Sequence, residues 1–63
     1  MTIGAKIKEA RLKAGLTQKG LAKKLNVTYQ QVQKWETGER NPKIKSLRKI
    51  ADALGVDWVE LVE

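Results

Sequence analysis

Apolar residues recur along this chain at helical rather than strand spacing. Ile3, Ile7, Ala10 and Ala14 occupy the i, i+4, i+7 and i+11 positions of one helix face. Thr2 can cap that segment and Gly15 can end it, which predicts a first helix over about 2–14. Thr17 caps a second helix over about 18–25, with Leu21, Ala22 and Leu25 inward and Asn26 in the turn that follows. Thr28 with Gln31 forms a capping-box pattern opening a third helix over about 28–36, which Thr37 and Gly38 end. A fourth helix over about 44–53 carries Ile44, Leu47, Ile50, Ala51 and Leu54, and Gly55 stops it. Asp57 and Glu60 give another capping-box pattern for a short fifth helix over about 57–62. No alternating strand pattern occurs. The expectation is an all-α bundle of five short helices, with Trp35 and Trp58 turned into its core.

The second and third helices are separated only by Asn26, Val27 and the capping Thr28. So tight a junction makes them cross steeply, as a helix-turn-helix does, and leaves the second of the pair protruding. With Val32, Trp35 and Glu36 inward, the 100° step per residue puts Tyr29, Gln30, Gln33 and Lys34 outward. Two amides, a phenol and an ammonium suit base edges. An amide pairs bidentately with adenine N6 and N7, and an ammonium donates to guanine O6 and N7. This outer face of the helix itself carries no acid to repel phosphate.

Composition narrows the remaining possibilities. The chain has 63 residues, enough for one domain. It has neither cysteine nor histidine, and its seven acidic residues do not cluster at ligand spacing, so no metal site, cofactor or catalytic constellation is expected. No apolar run approaches the roughly 20 residues that cross a bilayer, and the N-terminus lacks a signal core, so a cytoplasmic protein with no membrane association is expected. The net charge of +6 is unevenly spread: residues 10–35 hold six cations and no acid, whereas residues 51–63 hold four acids and no cation. A basic middle is what a polyanion binder needs.

The stretch from Gly15-Leu16-Thr17-Gln18 through Leu21-Ala22-Lys23-Lys24-Leu25-Asn26-Val27-Thr28, Val32 and Trp35-Glu36-Thr37-Gly38-Glu39-Arg40-Asn41-Pro42 resembles the helix-turn-helix domain of phage repressors and Cro proteins, and Ile50-Ala51-Asp52-Ala53-Leu54-Gly55-Val56 extends the likeness. The resemblance implies a lambda-repressor-like five-helix fold, prokaryotic or phage-encoded, that regulates transcription at a pseudo-palindromic double-stranded DNA operator. It assigns base reading to Thr28, Tyr29, Gln30 and Lys34, with Gln33 as an addition. Phosphate contacts fall to Thr17, Gln18, Thr37, Arg40 and Lys43, and a structural ion pair to Arg11 and Glu36. Three residues depart from the family's usual pattern: Gly20 within the second helix, Asn26 in the turn, and Lys43 where a serine cap is typical.

Sixty-three residues leave little for a separate dimerisation domain, so a monomer or weak homodimer that pairs on DNA is expected. Two alternatives stay open. One is a protein-interaction module of the same fold, of antitoxin or adaptor type, using Leu12, Val59, Val62 and the acidic C-terminal end. The other is an isolated or engineered DNA-binding half of a longer repressor.

Overall fold

The computed structural model describes residues 2–62; Glu63, part of the acidic end, lies outside them. Among the described residues the chain forms α1 (Ile3–Lys13), α2 (Gln18–Leu25), α3 (Tyr29–Thr37), α4 (Ile44–Leu54) and α5 (Trp58–Val62), with no strand. None of these helices is long and apolar enough to cross a membrane.

Short polar residues start the first three helices. The hydroxyls of Thr2, Thr17 and Thr28 accept from the backbone N–H groups of Ala5 (3.1 Å), Gly20 (2.9 Å) and Gln31 (3.3 Å), so each satisfies a donor that the helix itself cannot. The helix bounds lie within one residue of the pattern-based expectation. α3 begins one residue later, because Thr28 is its cap rather than its first helical residue, and ends one residue later, at Thr37, with Gly38 as its C-cap. At α5 the Asp57 carboxylate accepts from Val59 N–H (3.3 Å), one position short of a capping box. The helix ends are set by residues in left-handed conformation, Asn26, Gly38 and Gly55, each just past its helix.

The helices pack with α3 against α1 and α2, and with α4 against α2 and α5; α1 and α5 close the far side. Ile7, Leu21, Val32, Ile50 and Leu61 are fully enclosed, and Trp35 lies among them at 5% exposure. Trp58 is only partly buried: its ring rests against the core while the Arg48 guanidinium lies 5.6 Å from its centroid. Two residues assigned to apolar faces do not join the core. Ile44 is 61% exposed because it sits at the first position of α4, before the helix reaches its neighbours. Ala14 is exposed because α1 has already ended and Ala14 is its C-cap.

One contact has no counterpart in the hydrophobic pattern. Gly4 is buried on α1, where a β-carbon would stand 2.3 Å from the Trp35 carbonyl oxygen and 2.7 Å from that of Glu36. The N-terminal part of α1 therefore rests directly on the C-terminal backbone of α3. Gly4→Ala gains about 1 kcal/mol of helix propensity but must push two backbone segments apart. Overpacking that backbone cannot absorb dominates, and a net loss of about 1–3 kcal/mol is expected in chemical denaturation. A stability equal to or above that of the unsubstituted chain contradicts this close approach.

Candidate nucleic-acid interface

The junction between α2 and α3 fixes the angle at which α3 leaves the bundle. Asn26 takes φ 58° and ψ 44°, which lets Val27 N–H reach back to the Ala22 carbonyl (3.0 Å) and closes α2 in a Schellman-type turn. Asparagine tolerates this conformation better than other non-glycine residues, so the turn forms without glycine. Leu21 and Ala22 on α2 and Val32 and Trp35 on α3 bury together, and the remaining side of α3 faces out.

A polar knot holds the base of α3. Arg11 Nε donates to Glu36 Oε2 at 2.6 Å and its Nη2 donates to Oε1 at 3.2 Å, a two-point pair. Its Nη1 donates to the Leu16 carbonyl at 2.8 Å, and the Gln18 amide donates to Glu36 Oε1 at 3.0 Å. The Arg11 and Glu36 side chains are 8% and 3% exposed. Every charge buried here has hydrogen-bonding partners, the condition under which a buried ion pair is tolerated. The knot joins α1, the loop to α2, the first residue of α2 and the end of α3.

The outer face of α3 and the start of α2 frame one open cleft, lined by Gln18, Gln30, Gln33, Lys34, Thr37 and Glu39. Five of these six residues carry sequence-based assignments. Gln30 and Lys34 are exposed and Gln33 is half-buried. Thr28 stands outside the cleft, exposed, with its hydroxyl oxygen already capping α3. Tyr29 is less outward than helix geometry alone suggests: it is half-buried against the core, and the Lys19 ammonium sits 5.4 Å from its ring centroid. Gln18 is present in the cleft, but its amide is committed to Glu36. Thr17 is exposed at the α2 cap, and Arg40 and Lys43 are exposed on the loop to α4. Gly20, also on α2, has a tight but not closed surrounding: a β-carbon there would lie 3.2 Å from the Thr17 capping oxygen.

Helix-end electrostatics leave the positive ends of the first four helices without an internal counter-charge. None of α1 to α4 carries an acid in its first turn, the place where acids ordinarily offset the positive end of the helix dipole. Lys43 caps α4 with no side-chain hydrogen bond, leaving its first backbone N–H groups without a protein capping partner. Sequence reasoning missed one member of the cleft. Glu39 brings a carboxylate beside a surface expected to hold none, because it reaches the cleft from the loop and not from the helix whose periodicity was counted. Its place two residues beyond Thr37 was the available signal.

Comparison with known proteins places this geometry. The helix-turn-helix family profile matches residues 7–61. The chain belongs to that helix-turn-helix family. It is 39% identical over 56 residues to the HTH-type transcriptional regulator ImmR of Bacillus subtilis (strain 168), covering 89% of this chain and 44% of that protein. It is 38% identical over 62 residues to the immunity repressor protein of Bacillus phage phi105, covering 98% of this chain and 43% of the phage protein. A further relative, the uncharacterized HTH-type transcriptional regulator y4dJ of Sinorhizobium fredii (strain NBRC 101917 / NGR234), is 37% identical over 60 residues, covering 95% of this chain and 78% of its own length. The chain thus spans less than half the length of the first two of these helix-turn-helix relatives. Among solved structures it resembles the restriction-modification controller protein C.AhdI from Aeromonas hydrophila, with a TM-score of 0.88 and 32% identity, covering 94% of this chain and 89% of that one. It also resembles the P22 c2 repressor protein, solved in complex with synthetic operator 9T, with a TM-score of 0.91 and 25% identity, covering 100% of this chain and 96% of that one.

Truncating Arg11 leaves the Glu36 carboxylate buried without its cation, which costs about 3–5 kcal/mol. At about 0.05–0.15 kcal/mol per residue a domain of 63 residues holds only about 3–9 kcal/mol, so Arg11→Ala should lose a large share of its stability and melt well below the unsubstituted chain by circular dichroism. Arg11→Met combined with Glu36→Leu removes both charges and should recover most of that loss. A double variant no more stable than Arg11→Ala contradicts the description of the knot as a mutually compensated pair.

Proposed function

We propose that this chain is the sequence-reading DNA-binding part of a repressor-type transcriptional regulator. The observation that carries the proposal is the cleft in which outward amides and an ammonium of α3 meet the start of α2 and Thr37. In this reading α3 enters the major groove, with Gln30 and Gln33 as amide readers of adenine and Lys34 as a donor to guanine. Thr28 and Tyr29 contact base edges at the leading end of the helix. The Lys19–Tyr29 stacking and the half-burial of Tyr29 support a ring held in one orientation there.

Phosphates are met by Thr17, Thr37, Arg40 and Lys43, with Gln18 contributing through its place at the start of α2. An exposed cation over the open first turn of α4 is unfavourable in the free protein and becomes favourable once a phosphate lies between them. The names of the helix-turn-helix relatives and the operator-bound P22 repressor support the same reading. It carries with it a pseudo-palindromic operator, two copies pairing on DNA, a cytoplasmic location and no catalytic role. A protein partner is a second use of the fold. It is favoured by the exposure of Leu12 at 59% and Val62 at 42%, and DNA binding by the isolated chain decides between the two.

Two substitutions separate base reading from phosphate positioning. Lys34→Ala should change which operator is preferred, whereas Lys43→Ala should weaken all operators by a similar factor and reduce the slope of log affinity against log salt by about 1. Titrations on several duplexes at several salt concentrations check both; a uniform loss for Lys34→Ala removes its reading role. Lys43→Ser supplies the missing cap and should stabilise the free domain by about 1 kcal/mol while weakening its DNA complex. Unchanged melting together with unchanged DNA affinity contradicts the phosphate assignment at α4.

A further inference from the structure

Glu39 stands out among the residues of the α3 cleft because no ion pair among the described residues accounts for its charge. Among the described residues, Lys34 and Glu39 are the only charged ones lining that cleft. The ion pairs among the described residues are Arg11 with Glu36 and Lys13 with Glu9, so neither Lys34 nor Glu39 is neutralised by the other or by a neighbour. Their positions are nevertheless tied. The Lys34 carbonyl accepts from Arg40 N–H at 3.1 Å and from the Thr37 hydroxyl at 3.2 Å, so the segment carrying Glu39 is bound at both ends to the turn of α3 that carries Lys34. Gly38, at φ 84°, lets the chain reverse between them.

On a surface that meets phosphates, an unpaired carboxylate is repelled unless it faces a hydrogen-bond donor. In the major groove the donors are the exocyclic amines, cytosine N4 and adenine N6. An ammonium beside a carboxylate matches the edge of a G·C pair, which presents the guanine N7 and O6 acceptors next to the cytosine N4 donor. We infer that Lys34 and Glu39 together read one G·C pair in each half-site, Lys34 at the guanine and Glu39 at cytosine N4. The inference rests on the DNA-binding reading above and adds to it a specificity residue outside the recognition helix.

Selection of bound duplexes from a random pool, run on the unsubstituted chain, E39Q and Lys34→Ala, tests it. Glu39 is exposed and its side chain makes no hydrogen bond among the described residues, so E39Q should melt as the unsubstituted chain does. The unsubstituted chain should enrich a motif with a fixed G·C pair. Exchanging that pair for A·T in a competition assay should weaken binding about tenfold. E39Q and Lys34→Ala should each relax that same position and leave the other positions of the motif intact. If E39Q enriches the unchanged motif and binds every duplex more tightly by one common factor, Glu39 acts only through phosphate repulsion and the inference is overturned. If the two variants relax different positions, the shared pair is overturned. If the unsubstituted chain enriches no motif, the DNA-reading proposal itself falls, a result separable from the other two.

Discussion

The two-point pair between Arg11 and Glu36 is the constraint on which the geometry of this domain depends. A 63-residue chain has a thin core, and α3 is nine residues long, too short to be a stable helix by itself. It must be held from outside. Val32 and Trp35 hold its middle by burial, but burial is non-directional and leaves a short helix free to rock. The guanidinium fork is directional. By binding both Glu36 oxygens while also holding the Leu16 carbonyl, it ties the end of α3 to α1 and to the loop before α2. The contact of Gly4 on the Trp35 and Glu36 carbonyls then fixes the distance between the two helices.

That rigidity has a functional counterpart. Recognition of base edges requires side chains held in a fixed register against a partner of fixed shape, and sites built on helices achieve this better than sites on loops. The same knot that stabilises α3 recruits Gln18, so the start of α2 is tied to the end of α3. Charge completes the arrangement. Helix N-termini without acids and cations outside the ion-paired knot leave a surface whose attraction for a polyanion is not spent internally.

Much of this was legible in the sequence because the signals are local. Capping threonines, helix-ending glycines and the two-residue turn mark the helices to within one or two residues, and periodicity correctly turned Val32 and Trp35 inward. What was not legible depends on neighbours distant in sequence. Gly4 reads as a weak spot in a helix until the α3 backbone is seen against it. Ile44 fits the apolar pattern of α4 but lies beyond the reach of any partner helix. Tyr29 is outward by angle, yet α2 is close enough to half-bury it. Glu39 belongs to no periodic segment, so only the fold reveals that it shares a cleft with Lys34. Lys43 is the converse case: its conflict with the α4 dipole was already visible in the sequence, and the structure adds that no side chain relieves it.

In the proposed mode of DNA binding, the outward side of α3 is the surface that meets the bases. Nuclear magnetic resonance titration of the labelled chain with a duplex at low ionic strength observes that surface residue by residue. The side-chain amides of Gln30 and Gln33 and the backbone signals of Lys34 and Thr37 should shift and saturate, while Val59 and Val62 on α5 stay near their free positions. Perturbations confined to α1 and α5, with the α3 signals unmoved at saturating duplex, would contradict this mode of binding.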